Sequence, residues 1–160
     1  GDPLPPGEVG LIAMRGPTGC RYLDDIDRQR IFVRRGWNVS GDLFEQDEDG
    51  LFWFIDRADD MIVSSGYNIP PSDVERAVLQ HPSVSDCAII GVPDEARGKV
   101  VRACVVLKDG NSDSVETKKS IQDFVKETIA PYKYPRDIRF YDSLPRTPTG
   151  KLQRFRLRED

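Results

Sequence analysis

Runs of apolar residues in the second half of the chain predict strands and one amphipathic helix. Residues 84–92 and 100–107 are apolar and rich in β-branched side chains, which favours two well-buried strands. From Ile121, apolar residues recur at the i, i+3, i+4 and i+8 positions, the spacing of a helix with one apolar face. Pro131 is expected to stop this helix, and the alternating residues 138–140 predict a short strand after it.

The residues just before these strands predict one more strand and one more helix. Residues 61–64 form a short apolar run, and residues 65–68 are predicted to form a loop. Ser72 precedes Glu75 by three positions, a spacing typical of a capping box at the start of a helix, and His81-Pro82 is expected to end that helix. The element order predicts an α+β domain of about 100 residues, in which helices flank a small mixed sheet.

The first third of the chain has the pattern of antiparallel strands. Residues 8–14 predict a strand, and the apolar runs 41–44 and 51–55 predict a hairpin, because an Asp-Gly pair before the second run favours a turn. The charged residues 56–60 interrupt this pattern, so we place a domain boundary there. Residues 15–38 show no clear pattern.

Composition restricts the class of protein. The chain has 160 residues, of which 38% are hydrophobic and 31% are charged, and these values are ordinary for a globular protein. We find no apolar run of the length that a membrane span needs and no signal-peptide pattern. We therefore expect a cytoplasmic protein with no membrane partner. Because the chain lacks an initiator Met, we also expect it to be part of a longer protein.

Charge is distributed unevenly along the chain. The net charge is −4, and residues 42–60 carry eight acidic residues and one basic residue, whereas residues 133–158 carry eight basic residues and two acidic ones. A basic tail suits an anionic partner, such as a nucleotide, a phosphorylated cofactor or nucleic acid. A non-enzymatic module that binds nucleic acid is disfavoured, because aromatic residues do not alternate with the basic ones as a stacking surface requires.

Few residues are suited to bind a metal. The chain has three cysteines, no Cys-x-x-Cys pair and a single histidine, His81. A disulfide framework or a zinc site is therefore not expected, and no metal ligands are assigned within the chain.

One lysine, Lys151, lies on a predicted loop that suits it to a catalytic role. Residues 147–151 end in Gly-Lys, but Pro145 and Leu152 occupy positions where a phosphate-binding P-loop needs Gly and Ser or Thr. The sequence therefore predicts a loop, stiffened by Pro and Gly, that holds Lys151 before a short helix. A fixed ammonium group can stabilise charge that develops on a phosphate or carboxylate oxygen.

Four segments together resemble a known family. They are Ser40-Gly41-Asp42, Arg57-Ala58-Asp59-Asp60-Met61-Ile62, Ser65-Gly66-Tyr67-Asn68-Ile69, and residues 144–154. Their order and spacing resemble the C-terminal third of the adenylate-forming enzymes, which include acyl- and aryl-CoA synthetases, peptide-synthetase adenylation domains and luciferases. Residues 130–136 and the Ser-Gly-Tyr loop look most like the branch of medium-chain acyl-CoA, benzoate-CoA and aminobenzoate-CoA ligases.

The resemblance implies a two-step reaction. A carboxylic acid, aromatic or medium-chain, attacks the α-phosphate of Mg-ATP to give an acyl-adenylate and pyrophosphate. Coenzyme A then takes the acyl group, and AMP leaves. An adenylation domain that loads a carrier-protein thiol is the alternative.

The resemblance also implies roles for individual residues. Lys151 would be the adenylation lysine, Asp42 and Arg57 would bind ATP or AMP, and Asp59 would be a hinge between two domain orientations. Coenzyme A would contact six residues, which are Ser65, Gly66, Tyr67, Arg97, Tyr134 and Arg136.

The resemblance further implies how the chain is divided. Residues 1–57 would be the last β-rich segment of the large adenylation domain, and residues 58–160 the C-terminal lid domain. The remainder of the large domain would supply the acyl pocket and the Mg²⁺ ligands, so the chain alone is expected to be inactive and to bind ATP poorly. Asp56 and Asn68 stand where many members have Gly and Arg, and the second departure removes a plausible phosphate contact.

Overall fold

The computed structural model describes residues 2–17 and 21–159. Cys20, one of the three cysteines, lies outside the described residues. The chain divides into two compact units between Asp59 and Asp60, whereas the resemblance implies a boundary between residues 57 and 58.

The first unit is built on one long central strand. Its elements are β1 (Val9–Met14), α1 (Ile26–Phe32), β2 (Val33–Arg34), β3 (Trp37–Gln46) and β4 (Phe52–Arg57). Strand β3 pairs antiparallel with β1, β2 and β4, which confirms the predicted hairpin. Helix α1 lies in the segment without a clear pattern, and the Asp25 carboxylate caps it by accepting from the Arg28 N–H at 2.9 Å.

The second unit surrounds a three-stranded mixed sheet. Its elements are β5 (Ile62–Ser64), β6 (Tyr67–Ile69), α2 (Pro71–Val78), β7 (Val84–Asp94), β8 (Gly98–Leu107), α3 (Val115–Thr128), a 3-10 turn (Pro131–Lys133), β9 (Asp137–Phe140) and α4 (Arg154–Glu159). Strands β7 and β8 pair antiparallel, and β8 and β9 pair parallel. The predicted α+β class with a small mixed sheet is confirmed.

Both faces of β7 and β8 are covered, which explains their unbroken apolar sequence. Ile89 and Val105 face a core that includes Val74 of α2 and Ile121 and Val125 of α3. The intervening residues face a second core on the other side of the sheet, formed by Ala88, Ile90, Val92, Val100, Cys104, Leu144 and Leu157.

Three local predictions are wrong. Helix α2 has Pro70 as its N-cap and begins with Pro71, and no side chain caps it, so Ser72 and Glu75 form no capping box. Proline at the first helical position needs no hydrogen bond there. The helix also ends at Val78, before His81. Finally, the predicted loop 65–68 is a β5–β6 hairpin in which only Ser65 and Gly66 form the turn.

Candidate functional site

Asp42, Arg57 and Asp59 form one charged cluster in the first unit. Asp42 and Arg57 are register partners on β3 and β4. The Arg57 Nη1 atom donates to Asp42 Oδ1 at 3.3 Å, and its Nε donates to Asp59 Oδ1 at 2.9 Å. The guanidinium therefore lies between two carboxylates, and about a third of the Asp42 side chain is exposed.

The backbone conformation of β3 at Gly41, and not crowding, favours glycine there. Its φ is +80°, whereas a Cβ atom would make only an ordinary contact, 3.6 Å from Arg57 Nη2. The Ala58 N–H also donates to the Gly41 carbonyl at 3.0 Å. This hydrogen bond holds the end of β4 against Gly41-Asp42. The pairing of β3 with β4 therefore brings the three predicted charged residues together.

Lys151 closes a tight turn in the second unit. The Thr147 N–H donates to the Lys151 carbonyl at 2.8 Å, and the Gly150 N–H donates to the Thr147 carbonyl at 2.8 Å. The Lys151 N–H donates to Thr147 Oγ1 at 3.0 Å. The backbone of Lys151 is therefore held on both sides, while its side chain is exposed and has no ion-pair partner within residues 2–17 and 21–159.

The Ser65-Gly66 turn is joined to Arg97. Both turn residues have positive φ, +48° and +82°, as in the type I′ turn that suits a two-residue hairpin. The Ser65 N–H donates to the Arg97 carbonyl at 3.1 Å, and Arg97 Nη1 donates to Ser65 Oγ at 3.2 Å. A Cβ atom on Gly66 would meet nothing within 4 Å, so the turn offers bare backbone at the surface.

Tyr134 and Arg136, each predicted to contact coenzyme A, also contact each other. Arg136 Nη1 donates to the Tyr134 hydroxyl at 2.9 Å, and the guanidinium carbon lies 4.8 Å from the ring centroid. The ammonium of Lys126 lies 4.6 Å from the same centroid, within the range of a cation–π contact. The hydrogen bond to Asp123 raises the pKa of Lys126, so this lysine stays charged beside the ring.

Tyr67 contacts Tyr132, a residue for which the resemblance implies no role. Its ring stacks on Tyr132, with centroids 4.5 Å apart. Tyr132 belongs to the 3-10 turn, whose Lys133 also forms a 2.8 Å ion pair with Asp73 of α2. The sequence signal for Tyr132 is its place in the segment 130–136, which resembles the ligase branch.

The hydrogen bonds and ring contacts described above join the predicted coenzyme A residues into three local groups. Ser65 and Gly66 group with Arg97, Tyr67 groups with Tyr132, and Tyr134 groups with Arg136. No cluster of three or more His, Cys, Asp or Glu side chains in the described part of the chain could hold a metal ion.

Comparison with known proteins agrees with the resemblance. Residues 73–151 match the family model of the AMP-binding enzyme C-terminal domain. An uncharacterized acyl-CoA ligase, YtcI of Bacillus subtilis, is 44% identical over 99% of this chain and 31% of its own. The mitochondrial acyl-coenzyme A synthetase ACSM3 of Mus musculus is 43% identical over 99% of this chain and 29% of its own.

A solved structure shows the same fold. The anthranilate CoA ligase AuaEII, in complex with anthranoyl-AMP, superposes with a TM-score of 0.85 and 38% identity, over 98% of this chain and 30% of that one. The chain spans about three tenths of the length of the relatives it matches.

No helix in the described ranges is long and apolar enough to cross a membrane. The predicted cytoplasmic location stays a prediction, since one of the relatives is named as mitochondrial. The matched family model and the relatives agree, and the chain belongs to the adenylate-forming enzymes, as their C-terminal part with the AMP-binding enzyme C-terminal domain.

Proposed function

We propose that this chain is the C-terminal part of an ATP-dependent acid–thiol ligase that forms an acyl-adenylate and transfers the acyl group to coenzyme A. The observation that carries the proposal is the Lys151 turn. Its backbone is fixed by three hydrogen bonds while the ammonium remains available to a substrate. The relatives named as acyl-CoA ligases and synthetases support the same activity.

Lys151 acts in the first step. A carboxylate oxygen of the acid attacks the α-phosphorus of ATP, the bond to the bridging oxygen breaks, and pyrophosphate leaves. Negative charge builds up on the oxygens around phosphorus as this occurs. The Lys151 ammonium bridges the acid and the α-phosphate and stabilises that charge, and a compact charge on a flexible stem suits this task.

Asp42 and Arg57 hold the nucleotide. A carboxylate can accept from two hydroxyl groups at once, so Asp42 binds the ribose hydroxyls. Arg57, held beside it at 3.3 Å, orients the carboxylate and contacts the sugar or the phosphate. Because Asp42 is partly exposed, the carboxylate is accessible to a ligand.

The second step uses a different surface of the second unit. Asp59 acts as the hinge, since it is the last residue of the first unit and a hinge needs few residues. The bare backbone at Gly66 lets pantetheine pass close to the Ser65-Gly66 turn. Coenzyme A also contacts Arg97, Tyr67, Tyr134 and Arg136. Its thiol attacks the acyl carbonyl, and AMP leaves.

The acid substrate is an aromatic or medium-chain carboxylic acid. Its support is the likeness of the Ser-Gly-Tyr turn and residues 130–136 to the corresponding ligase branch, together with the anthranoyl-AMP complex of AuaEII. Mg²⁺ would neutralise phosphate charge when ATP binds. We place its ligands elsewhere in the ligase, as the family resemblance implies.

Half-reaction kinetics on the full-length ligase that carries this chain test the proposal. ATP–pyrophosphate exchange is measured with a panel of benzoates and medium-chain acids, and thioester formation is measured from synthetic acyl-adenylate. Lys151→Ala is expected to abolish exchange and to spare thioester formation, whereas Lys108→Ala, at another exposed lysine, leaves both unchanged. Exchange that survives in Lys151→Ala, or equal loss of both half-reactions, would refute the role of Lys151.

A further inference from the structure

Arg146 connects the turn that carries Lys151 to the central sheet. Its Nη2 atom donates to Asp86 Oδ2 at 2.8 Å, and Asp86 lies on β7. Its Nη1 atom donates to the carbonyl of Gly150 at 3.0 Å. One guanidinium thus binds both a strand of the sheet and the residue immediately before Lys151.

The Gly150 carbonyl is a point where the turn needs support. Gly150 has a φ of +84°, and glycine has more accessible backbone conformations than any other residue. The peptide that joins Gly150 to Lys151 fixes the direction in which the lysine leaves the backbone. A hydrogen bond to its carbonyl therefore restricts the orientation of the Lys151 side chain.

Arg146 is suited to this contact by its shape. It pairs with Leu152 across the turn as an isolated β-bridge, which places its side chain beside the turn. A guanidinium presents its donors as a rigid planar fork, so one nitrogen can hold Asp86 while another holds Gly150. A lysine at this position could reach only one of the two acceptors well.

We propose that Arg146 is a positioning residue for Lys151, and that Asp86 anchors Arg146 in the orientation that this requires. The proposal rests on the proposed function, because it assumes that Lys151 acts in adenylation. Arg146 contacts neither ATP nor the acid in this proposal. It acts only through the carbonyl of Gly150, and it has no part in thioester formation.

The test compares both half-reactions in the full-length ligase. The acid is the one that supports exchange in the wild type, and thioester formation is measured from its synthetic acyl-adenylate. A misplacement of about 1 Å can cost about 100-fold in rate, so Arg146→Ala is expected to lower the kcat of exchange by about 10- to 100-fold. The KM values for ATP and the acid, and the rate of thioester formation, are expected to stay close to wild type.

Three further variants separate positioning from general stability. Arg146→Lys is expected to recover only part of the exchange rate. Asp86→Ala is expected to reduce exchange as well, and adding it to Arg146→Ala should cause little further loss, because the two residues act through the same contact. Arg156→Ala is the matched control, since this exposed arginine contacts the ring of Phe155 and is expected to leave both half-reactions unchanged.

The outcomes distinguish this inference from the function on which it rests. Absence of exchange in the wild type, or exchange that survives in Lys151→Ala, overturns the proposed function and the role of Arg146 with it. If Lys151→Ala alone loses exchange, an Arg146→Ala variant with wild-type exchange, or with equal loss of both half-reactions, overturns the positioning role alone. If Arg146→Ala does not fold, Asp86→Ala decides in the same way.

Discussion

The Nη2 atom of Arg154 donates hydrogen bonds to both carboxylate oxygens of Glu75, at 2.8 and 3.0 Å, although the two residues lie 79 positions apart. Glu75 Oε1 also accepts from the Ile89 N–H at 2.9 Å. Arg154 Nη1 lies 3.6 Å from Asp60 Oδ2, and Arg158 contacts the other oxygen of the same carboxylate. These residues hold α4, the helix that follows Lys151, against α2, β7 and the start of the second unit.

Removal of the Glu75 carboxylate should destabilise the second unit. Glu75→Ala removes both hydrogen bonds that the largely buried Arg154 donates to this carboxylate, and the loss of one partner of a buried ion pair costs about 3–5 kcal/mol. Because the pair is partly exposed, we expect about 3 kcal/mol, at the lower end of that range. Urea unfolding of the chain measures the change in the free energy of unfolding.

The control for this prediction is Glu127→Ala. Glu127 is an exposed residue of α3, and surface substitutions of this kind usually change stability by less than about 0.5 kcal/mol. Equal stability of the two variants would show that the Glu75–Arg154 contact contributes little to the fold.

Gly66 should tolerate asparagine better than alanine. A residue with a Cβ at positive φ costs about 1–2 kcal/mol, so we expect Gly66→Ala to lower the free energy of unfolding by about 1 kcal/mol. Gly66→Asn should cost less, because asparagine adopts this conformation more readily. The cause is backbone strain and not crowding, since a Cβ atom there meets nothing within 4 Å. Urea unfolding of both variants checks the order, and an alanine variant as stable as wild type contradicts it.

The sequence predicts the fold where the pattern of apolar residues matches the pattern of buried positions. Strands β7 and β8 are buried on both faces, so their apolar runs are unbroken and indicate strands directly. Helix α1 has no buried residue, and no apolar stripe revealed it. The prediction of a capping box at Ser72 and Glu75 is wrong for a different reason. Glu75 binds Arg154 and the Ile89 N–H, which are distant in sequence and which a local motif does not reveal.

The candidate site also has a part that the sequence predicts and a part that it does not. Motifs that are continuous in sequence predict the roles of Lys151, Asp42 and Arg57. The contact between Ser65 and Arg97 depends on how the β5–β6 hairpin lies beside the β7–β8 connection, which the sequence pattern does not specify. The same holds for Arg146, whose two partners lie on a distant strand and within the turn itself.

The two described cysteines should be chemically inert in the folded chain. Burial raises the pKa of the Cys104 thiol to about 11, and burial, followed by the charges of Glu75 and Asp86, raises that of Cys87 further. The thiolate is the reactive form, so iodoacetamide at about pH 8, near the ordinary thiol pKa, should label neither residue in native Cys20→Ser protein. Labelling in urea is the positive control. Rapid labelling of either thiol without urea would contradict the burial.

His81 should make the stability of the second unit depend on pH. Its Nδ1 atom accepts from the Ser83 N–H at 3.2 Å, and its Nε2 atom lies 3.1 Å from Ser120 Oγ. The contact at Nδ1 requires the neutral ring. Burial, and after it the positive charge of Lys108, lower the pKa of His81 below its ordinary value of 6.5.

The sign of the pH dependence follows from this shift. The unfolded chain binds the proton more readily than the folded chain, so the free energy of unfolding is largest above pH 6.5 and falls as the pH falls through the folded pKa. His81→Asn removes the titrating group and retains an acceptor for the Ser83 N–H, so its unfolding free energy should fall less steeply over this range. His81 is the only histidine in the chain, so an NMR titration of its ring resonances reports the pKa directly. A pKa above 6.5, or identical pH profiles for wild type and His81→Asn, would contradict the role of the buried neutral ring.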